Sequence, residues 1–235
     1  MQASGPNENK LLGSLPASER DLLHSELERV RLRLKDVLQA PDRPLTHVWF
    51  PRSGVLSMVS DMADGATVEV ATVGREGFIG ISVALEADEM AQRIFAQIAG
   101  EADRLSIERF RSMRDRLPVL GRMMLRYAAA LVTMIAQGSA CNRVHPIEAR
   151  CARWLLQTRD RVDSDQFHLT HEFLAQMLGV TRPSVTIAAG ILQKAGVIRY
   201  NRGDVSILDR KRLEDASCEC YAVVKAEADR LVSRR

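Results

Sequence analysis

The chain has 235 residues, a length that suits one large domain or two modest ones. Its 33 basic and 30 acidic residues leave a formal net charge of +3, so a nucleic-acid site would need clustered cations rather than a basic chain overall. No apolar stretch approaches the roughly 20 residues that span a bilayer, and the polar N-terminus lacks a signal-peptide pattern, so we expect a cytoplasmic protein with no membrane partner.

The first part of the chain predicts one helix followed by short strands. Leucines recur at helical spacing over residues 11–27, and from Val30 to Lys35 apolar and basic residues alternate as in a half-buried strand. Further strands bounded by turn residues are predicted at 46–50, 55–61, 67–73, 92–99 and 101–105. Several short strands at this spacing are typical of a β-barrel, roll or sandwich.

Two helices follow, a shorter one over 107–117 and a longer one from 118 to about 142. Apolar residues recur along the longer helix at alternating steps of three and four, with Gly138 in the same register, which is the spacing of a coiled-coil seam: Leu117, Leu120, Met124, Tyr127, Leu131, Met134 and Cys141. A second apolar stripe lies beside it: Leu125, Ala128, Val132, Ile135 and Ala136. We predict that the first stripe is the dimer interface with the same helix of a second copy, and that the second stripe packs on the β domain. A single wide stripe buried within one monomer is the alternative.

The segment from Thr170 to Lys194 predicts a helix-turn-helix. Thr170 and Thr181 are suited to cap its two helices, Gly179 permits the sharp turn between them, and Pro183 fits the first turn of the second helix. Four polar side chains of that second helix are expected to face outward, where such groups suit phosphates and base edges: Arg182, Ser184, Thr186 and Gln193. An ordinary helical hairpin with a glycine turn is the alternative interpretation.

A β-hairpin is predicted directly after this helix-turn-helix. Residues 197–200 and 204–207 are short β-like runs, and Gly203 in the connection tolerates a positive φ. A two-stranded wing at this place is a known DNA-binding arrangement, and its Arg199 and Arg202 could reach flanking phosphates.

In the order of its predicted parts, the chain resembles the Crp/Fnr family of bacterial transcription regulators over about residues 11–215. Gly77-Phe78-Ile79-Gly80 is similar to the start of the family's phosphate-binding cassette, and residues 149–156 are similar to the helix that opens its DNA-binding domain. The resemblance implies an α+β fold of three parts: a cyclic-nucleotide-binding-like β-roll over 11–116 that acts as a sensor, a dimerisation helix over 117–143 and a winged helix-turn-helix over 144–220.

The resemblance also implies a role for Arg182, which lies where the family has its base-reading arginine. A guanidinium group there can bind guanine O6 and N7 through two parallel hydrogen bonds. The match beyond it is partial, because Pro183 replaces the family's usual glutamate and Ile187 replaces a later arginine. We therefore expect a half-site that differs from that of the cyclic-AMP receptor protein.

The positions that would form an effector pocket depart further from the family: Gly77, Phe78, Ile79, Gly80, Ile81, Met90, Ala91, Ile135 and Ala136. Ile81 stands where the family has the glutamate that holds the ribose, and Met90-Ala91 stands where it has the Arg-Ser pair that binds the cyclic phosphate. Ile135-Ala136 replaces the hydroxyl pair that meets the purine. A buried phosphate without a cation costs several kcal/mol, so we predict no cofactor and no strong binding of cyclic AMP, while another small-molecule effector stays open. An alignment shift that brought Arg93 to the phosphate would reverse this prediction.

These features favour a homodimeric transcription regulator whose partner is double-stranded DNA at a two-fold symmetric site, with RNA polymerase as a second partner that this role allows. The alternative is a cyclic-nucleotide-binding signalling module that acts through protein–protein interaction. We expect no enzymatic activity, because the chain lacks a P-loop, a nucleophile elbow and a catalytic triad pattern. We also expect no metal site, because the four cysteines and five histidines form no CxxC pair and no zinc-ligand spacing.

Overall fold

The computed structural model describes residues 8–87 and 89–233, which form two compact units. Among these residues, the first unit consists of 8–58, 72–133 apart from 88, and 227–233, and the second consists of 59–71 and 134–226. The division falls inside the long helix, so that helix is not a unit of its own.

The first unit begins with two short helices where the sequence predicted one over 11–27. Helix α1 (Lys10–Gly13) follows Asn9, whose side chain accepts hydrogen bonds from two first-turn amides, and helix α2 (Ala17–His24) follows Pro16. Proline has no amide hydrogen, so a continuous helix cannot keep its hydrogen-bond ladder through this position. The leucine spacing is correct for helical structure, but the proline divides it.

The β domain has seven strands, all of them close to predicted strand positions except β2, which was not predicted: β1 (Glu28–Leu32), β2 (Val37–Gln39), β3 (His47–Pro51), β4 (Val55–Asp61), β5 (Thr67–Val73), β6 (Arg93–Ile98) and β7 (Gly100–Ser106). They form a three-stranded sheet in the order β1-β7-β3 and a four-stranded sheet in the order β2-β6-β4-β5. Strand β7 pairs antiparallel with both neighbours, and Glu28 lies opposite Arg104. A short helix, α3 (Ile81–Ala84), follows β5. The predicted mixed fold with an N-terminal β domain is confirmed.

An aromatic cluster fills the core of the first unit. The ring centroids of Phe50 and Phe78 are 6.0 Å apart, those of Phe78 and Tyr127 are 5.0 Å apart, and all three side chains are buried. Burying one such side chain stabilises the folded state by about 1.5–3 kcal/mol. Tyr127 belongs to the long helix, so this helix supplies part of the core.

The predicted apolar seam of the long helix lies inside the chain. Helix α4 (Ile107–Arg116) leads into α5 (Pro118–Val144). The seam residues are each at most 9% exposed: Leu117, Leu120, Met124, Tyr127, Leu131, Met134 and Cys141. The prediction that they form the dimer interface was wrong, because side chains buried within one chain are not available to a second copy.

The second stripe of α5 also differs from the prediction. Leu125 and Val132 are 53% and 64% exposed, and Ala136 is exposed as well. Ala128 is buried and Ile135 is half-buried. The outward face of α5 is therefore apolar but built from fewer large side chains than the buried face.

By length and composition alone, α5 could also cross a membrane, and it is the one helix of the described residues that could. This differs from the expectation that no apolar stretch of the sequence is long enough to span a bilayer. Core helices of soluble proteins pass the same test, and the buried seam is what a core helix requires.

A carboxylate from α2 caps the N-terminus of α5. The two carboxylate oxygens of the buried Glu19 accept hydrogen bonds from the backbone amides of Val119 and Leu120, at 3.0 and 2.9 Å. The first amides of a helix have no partner within it, and a negative charge is favourable at this end of the helix dipole. Glu19 therefore fixes where the long helix begins.

We expect Glu19→Ala to lower the free energy of unfolding by about 1–3 kcal/mol, because the buried amide of Leu120 and the part-buried amide of Val119 would lose their acceptors. Urea unfolding followed by circular dichroism measures this change. The matched control is Asp21→Ala, which removes an exposed carboxylate from the same helix and should change stability by less than about 0.5 kcal/mol. Equal effects of the two substitutions would contradict the capping role.

The second unit contains the C-terminal elements, with the last turns of the final helix in the first unit: α6 (Ile147–Val162), β8 (Gln166–His168), α7 (His171–Leu178), α8 (Arg182–Lys194), β9 (Ile198–Asn201), β10 (Asp204–Ile207), α9 (Arg210–Ala216) and α10 (Cys220–Ser233). The strands form an antiparallel sheet in the order β8-β10-β9. The tip of the β4–β5 hairpin, residues 59–71, also belongs to this unit. There the indole Nε1 of Trp154 in α6 donates a 2.7 Å hydrogen bond to Glu69 Oε1.

Candidate DNA-binding surface

The helix-turn-helix has the capping geometry that its sequence predicts. Thr170 precedes α7, and its hydroxyl oxygen accepts a hydrogen bond from the amide of Phe173 at 3.1 Å. Gly179 ends α7 with a φ of 62°, a left-handed conformation that glycine adopts without strain. Thr181 then precedes α8 and accepts from the amide of Ser184 at 3.4 Å. These groups fix both ends of the turn and hence the direction in which α8 leaves it.

Helix α8 has one face buried in the domain and one face exposed to solvent. Its anchoring residues are buried: Val185, Ala188, Ala189 and Leu192. On the opposite side Arg182, Pro183 and Thr186 are exposed, as predicted for a surface that meets a ligand. Ser184 is half-buried, and its hydroxyl lies 2.9 Å from that of Thr181, so it supports the cap rather than facing fully outward.

Two large apolar side chains also lie on the open face of α8. Ile187 and Ile191 are 64% and 46% exposed. Exposing isoleucine to water is unfavourable, and the two residues are four apart, so they share one face of the helix. The open face therefore combines a guanidinium group at its N-terminal end with an apolar patch further along.

A histidine connects the two helices and the wing. His171 Nδ1 lies 3.0 Å from the hydroxyl oxygen of Thr186, and its ring is 4.3 Å from the ring of Tyr200. The Tyr200 hydroxyl donates a hydrogen bond to the carbonyl of Leu169. Burial and, secondarily, the charge of Arg182 lower the pKa of His171, which favours its neutral form at neutral pH. These contacts hold α8 in a fixed position relative to α7 and β9.

The wing is a tight hairpin with basic side chains. Arg202 and Gly203 connect β9 and β10 with φ values of 50° and 93°, the two positive values of a type I′ turn. A side chain at position 203 would collide with the ring of His168, which explains the glycine. Arg199 and Arg202 are both exposed, so the wing presents two guanidinium groups to solvent.

The cassette-like segment forms a closed turn in the first unit. Trp49 and Ile79 exchange two backbone hydrogen bonds of 2.9 and 2.8 Å, and Gly80, with a φ of 119°, leads into α3. A Cβ atom on Gly77 would overlap the hydroxyl of Tyr127. Phe78, Ile79 and Ile81 are buried, which gives this turn an apolar lining.

The remaining predicted effector positions differ in burial. Met90 is half-buried and Ala91 is exposed, on the segment that precedes β6. Arg93 is the first residue of β6, and its guanidinium carbon lies 5.2 Å from the ring centroid of Phe95. Ile135 is half-buried and Ala136 exposed, and both belong to the second unit.

The structure also brings together four potential ligand residues that sequence spacing did not connect. Cys141, His145, Cys218 and Cys220 place their sulfur and ring nitrogen atoms within 4.8 Å of one another. The signal in the sequence was the i, i+4 pair Cys141 and His145 together with the Cys-x-Cys pair at 218 and 220, which lie 77 residues away. No short-range spacing rule joins these two pairs.

Comparisons with known proteins agree with this geometry. Residues 149–216 match a family described as the Crp-like helix-turn-helix domain. The whole fold is similar to FixK2 from Bradyrhizobium japonicum, with a TM-score of 0.71, 15% identity, and coverage of 82% of this chain and 98% of that one. It is similar to a Crp/Fnr-family transcriptional regulator from Eubacterium rectale, with a TM-score of 0.68, 18% identity, and coverage of 89% and 99%.

A further similar structure is CLP, a cyclic di-GMP-responsive global regulator from Xanthomonas campestris, with a TM-score of 0.65, 15% identity, and coverage of 82% of this chain and 99% of that one. No curated protein is significantly similar in sequence to this chain. Together these comparisons show a Crp-like helix-turn-helix domain at residues 149–216 and an overall fold similar to that of these solved structures.

Proposed function

We propose that this chain, with its Crp-like helix-turn-helix domain and Crp/Fnr regulator fold, is a homodimeric transcription factor that binds a two-fold symmetric DNA site. The observation that carries the proposal is the open face of α8, where Arg182 is exposed at the N-terminal end of a rigidly held helix and the wing adds Arg199 and Arg202. A cytoplasmic location and contact with RNA polymerase belong to this proposal, and an enzymatic role does not.

In this proposal α8 enters the major groove of DNA. Arg182 is suited to bind guanine O6 and N7, while the wing arginines neutralise phosphates beside the groove. Ile187 and Ile191 offer apolar surface rather than hydrogen bonds, and the base edge that rewards such surface is the methyl group of thymine. We therefore propose a half-site that combines a guanine near Arg182 with thymine further along α8.

The dimer in this proposal uses the outward face of α5. Its exposed residues follow heptad spacing: Leu125, Ala129, Val132 and Ala136. Two of the four are alanine, which allows the backbones of two helices to approach closely. Both DNA-binding ends must reach the same duplex, so the two helices run parallel and each residue meets its own counterpart across the two-fold axis.

The proposed sensor domain does not bind cyclic nucleotides strongly. The turn at Gly77–Ile81 is lined by buried apolar side chains, and the guanidinium group of Arg93 in β6 lies over the ring of Phe95. A cyclic phosphate bound among such apolar side chains would need a cation that the turn itself does not supply. CLP, which has the same fold, responds to cyclic di-GMP, so the fold by itself does not determine the effector.

Selection from a random DNA library with the purified full-length protein tests both parts of the proposal. The selection is run without nucleotide and with cyclic AMP, cyclic GMP or cyclic di-GMP. We expect one palindromic motif, with half-sites about one helical turn apart, enriched equally in every condition. Enrichment that requires a nucleotide would contradict the proposal for the sensor domain. No motif, together with no salt-dependent DNA binding, would contradict the DNA-binding role and favour a protein-interaction module.

A further inference from the structure

A cluster of three cysteines and one histidine lies outside the DNA-binding surface. Cys141 is near the C-terminal end of α5 and His145 follows that helix, while Cys218 and Cys220 flank the start of α10. The three cysteines are buried, and His145 is half-buried. All four residues belong to the second unit.

We propose that Cys141, His145, Cys218 and Cys220 together bind one zinc ion. Three cysteines and a histidine are an established ligand set for structural zinc, which is tetrahedral with Zn–S near 2.3 Å and Zn–N near 2.0–2.1 Å. A regular tetrahedron with these bond lengths separates two sulfur ligands by about 3.8 Å, and a sulfur from a nitrogen ligand by about 3.6 Å. In the structure Cys141 Sγ is 3.4 Å from Cys218 Sγ, and Cys220 Sγ is 3.6 Å from His145 Nδ1. Both separations are within about 0.4 Å of these values, and all four ligand atoms lie within 4.8 Å of one another, so a small adjustment would place them around a single ion.

The surroundings of these four residues have the features that orient metal ligands. His145 Nε2 lies 3.3 Å from Glu219 Oε1, which leaves Nδ1, the nitrogen beside Cys220, directed at the site. Metal-binding histidines almost always use their second nitrogen in this way, with a carboxylate or carbonyl as the partner. Gln137 Nε2 donates to Cys220 Sγ at 3.1 Å, a contact that stabilises a thiolate. A Cys₃His zinc site carries one net negative charge, and the buried Arg150 and Arg153 interact electrostatically with Cys141.

The ligand set favours zinc over other occupants. Thiolates are soft ligands, so the site does not suit magnesium or calcium, which prefer oxygen. An iron–sulfur cluster spreads its cysteine ligands around more than one iron, whereas these four ligand atoms all lie within 4.8 Å of one another, close enough to share one ion. The 3.4 Å between Cys141 and Cys218 is also far beyond the length of a disulfide bond, about 2.05 Å. A buried site with four protein ligands leaves no open position for catalysis, so the ion has a structural role.

The proposed ion joins two distant parts of the chain. It links the C-terminal end of α5, at residues 141–145, to the start of α10, at residues 218–220. The residues between them contain the helix-turn-helix and the wing, so the ion closes the loop that holds the DNA-binding elements. A cross-link of this kind restricts the unfolded chain more than the folded one.

Metal analysis of the full-length protein tests this proposal. Protein purified in reducing buffer should contain about one zinc ion per chain, and Cys220→Ser and His145→Ala should each reduce that content at least tenfold. Cys151→Ser is the matched control, because Cys151 is a buried cysteine outside the cluster, and its zinc content should equal that of the wild type. His145→Cys should retain zinc, since four cysteines also form a structural zinc site.

Cobalt substitution gives a second readout, which side chains that only pack together without binding a metal would not produce. Adding Co²⁺ to zinc-stripped wild-type protein should produce the intense visible bands of tetrahedral cobalt and a sulfur-to-cobalt charge-transfer band, and Cys220→Ser should weaken both. Wild-type protein that contains less than about a tenth of a zinc ion per chain and shows no cobalt spectrum would overturn the proposal. Equal metal content in the wild type and Cys220→Ser would overturn it as well, whether or not the variant is less stable.

Discussion

Val132→Asp is expected to convert the proposed dimer into a monomer and to lower affinity for the full DNA site by about 10²–10⁴-fold. Val132 is 64% exposed in the single chain and sits in the middle of the heptad-spaced outward face of α5. In a parallel pair of helices the two aspartates would face each other across the two-fold axis. Burying two like charges without partners costs several kcal/mol, more than a narrow helical seam can supply. Each half-site would then be bound separately, without the gain in effective concentration that a dimer provides.

Light scattering after size-exclusion chromatography measures the oligomeric state of this variant, and fluorescence anisotropy with a labelled duplex measures its affinity. Val37→Asp is the matched control, because it places the same charge at a similarly exposed valine outside α5 and should leave the protein dimeric. Leu131→Asp distinguishes the buried stripe of α5 from the exposed one. Leu131 is buried within the chain, so its replacement should unfold the protein. A dimeric and folded Val132→Asp protein would exclude the outward face of α5 as the interface.

Arg182→Ala is expected to weaken binding to the selected DNA site by about 1–3 kcal/mol, or roughly 5- to 150-fold, and to relax base preference at one position of each half-site. Arg182 is exposed at the first position of α8, where the helix enters the groove in the proposed complex. Alanine removes both hydrogen bonds to guanine and leaves its O6 and N7 facing the protein without a donor. Substitution of guanine at that position in the DNA should therefore cost the wild type affinity but leave the variant almost unchanged.

Lys194→Ala is the control for this experiment. Lys194 is also an exposed cation of α8, but it lies at the C-terminal end of the helix. Its loss should weaken binding to all sequences alike and reduce the salt dependence, without changing base preference. Binding by Arg182→Ala that retains the full preference for guanine would assign base recognition to a different residue.

Most of the fold could be predicted from local signals. Thr170, Gly179 and Thr181 define the helix-turn-helix because capping and a positive φ depend on residues next to each other in sequence. The helix boundary missed at Pro16 was also a local signal, which the leucine spacing obscured. Most strand positions followed from the turn residues that bound short β-like runs, which are also a local signal.

Which stripe of α5 faces inward could not be read from periodicity, because two apolar stripes on one helix look alike in sequence. The stripe with the larger side chains, including Tyr127 and Leu131, fills the core, where more surface can be removed from water. The stripe with Leu125 and Val132 remains outside. Size of the side chains, rather than regularity of spacing, was the better signal for which stripe faces inward.

The cluster at residues 141–145 and 218–220 depends on tertiary structure alone. Helices α6 to α9 lie between the two pairs of potential ligands in the sequence, so no rule based on local spacing detects them. The sequence does contain a pattern that favours a metal site. It has a cysteine and a histidine four residues apart at a helix end, and a Cys-x-Cys pair elsewhere.

The hydrogen bond between Trp154 and Glu69 has a consequence for how the protein can be divided. Glu69 lies at the tip of the β4–β5 hairpin, so the second unit is completed by a segment more than sixty residues before its other parts. The chain passes between the units at 58/59, 71/72, 133/134 and 226/227, so no single cut in the gene separates them. A fragment that begins at α6 would expose the indole of Trp154 and lose its acceptor. Partial proteolysis between α5 and α6 should therefore yield two fragments that stay associated. Heat should unfold the intact protein in one transition rather than two.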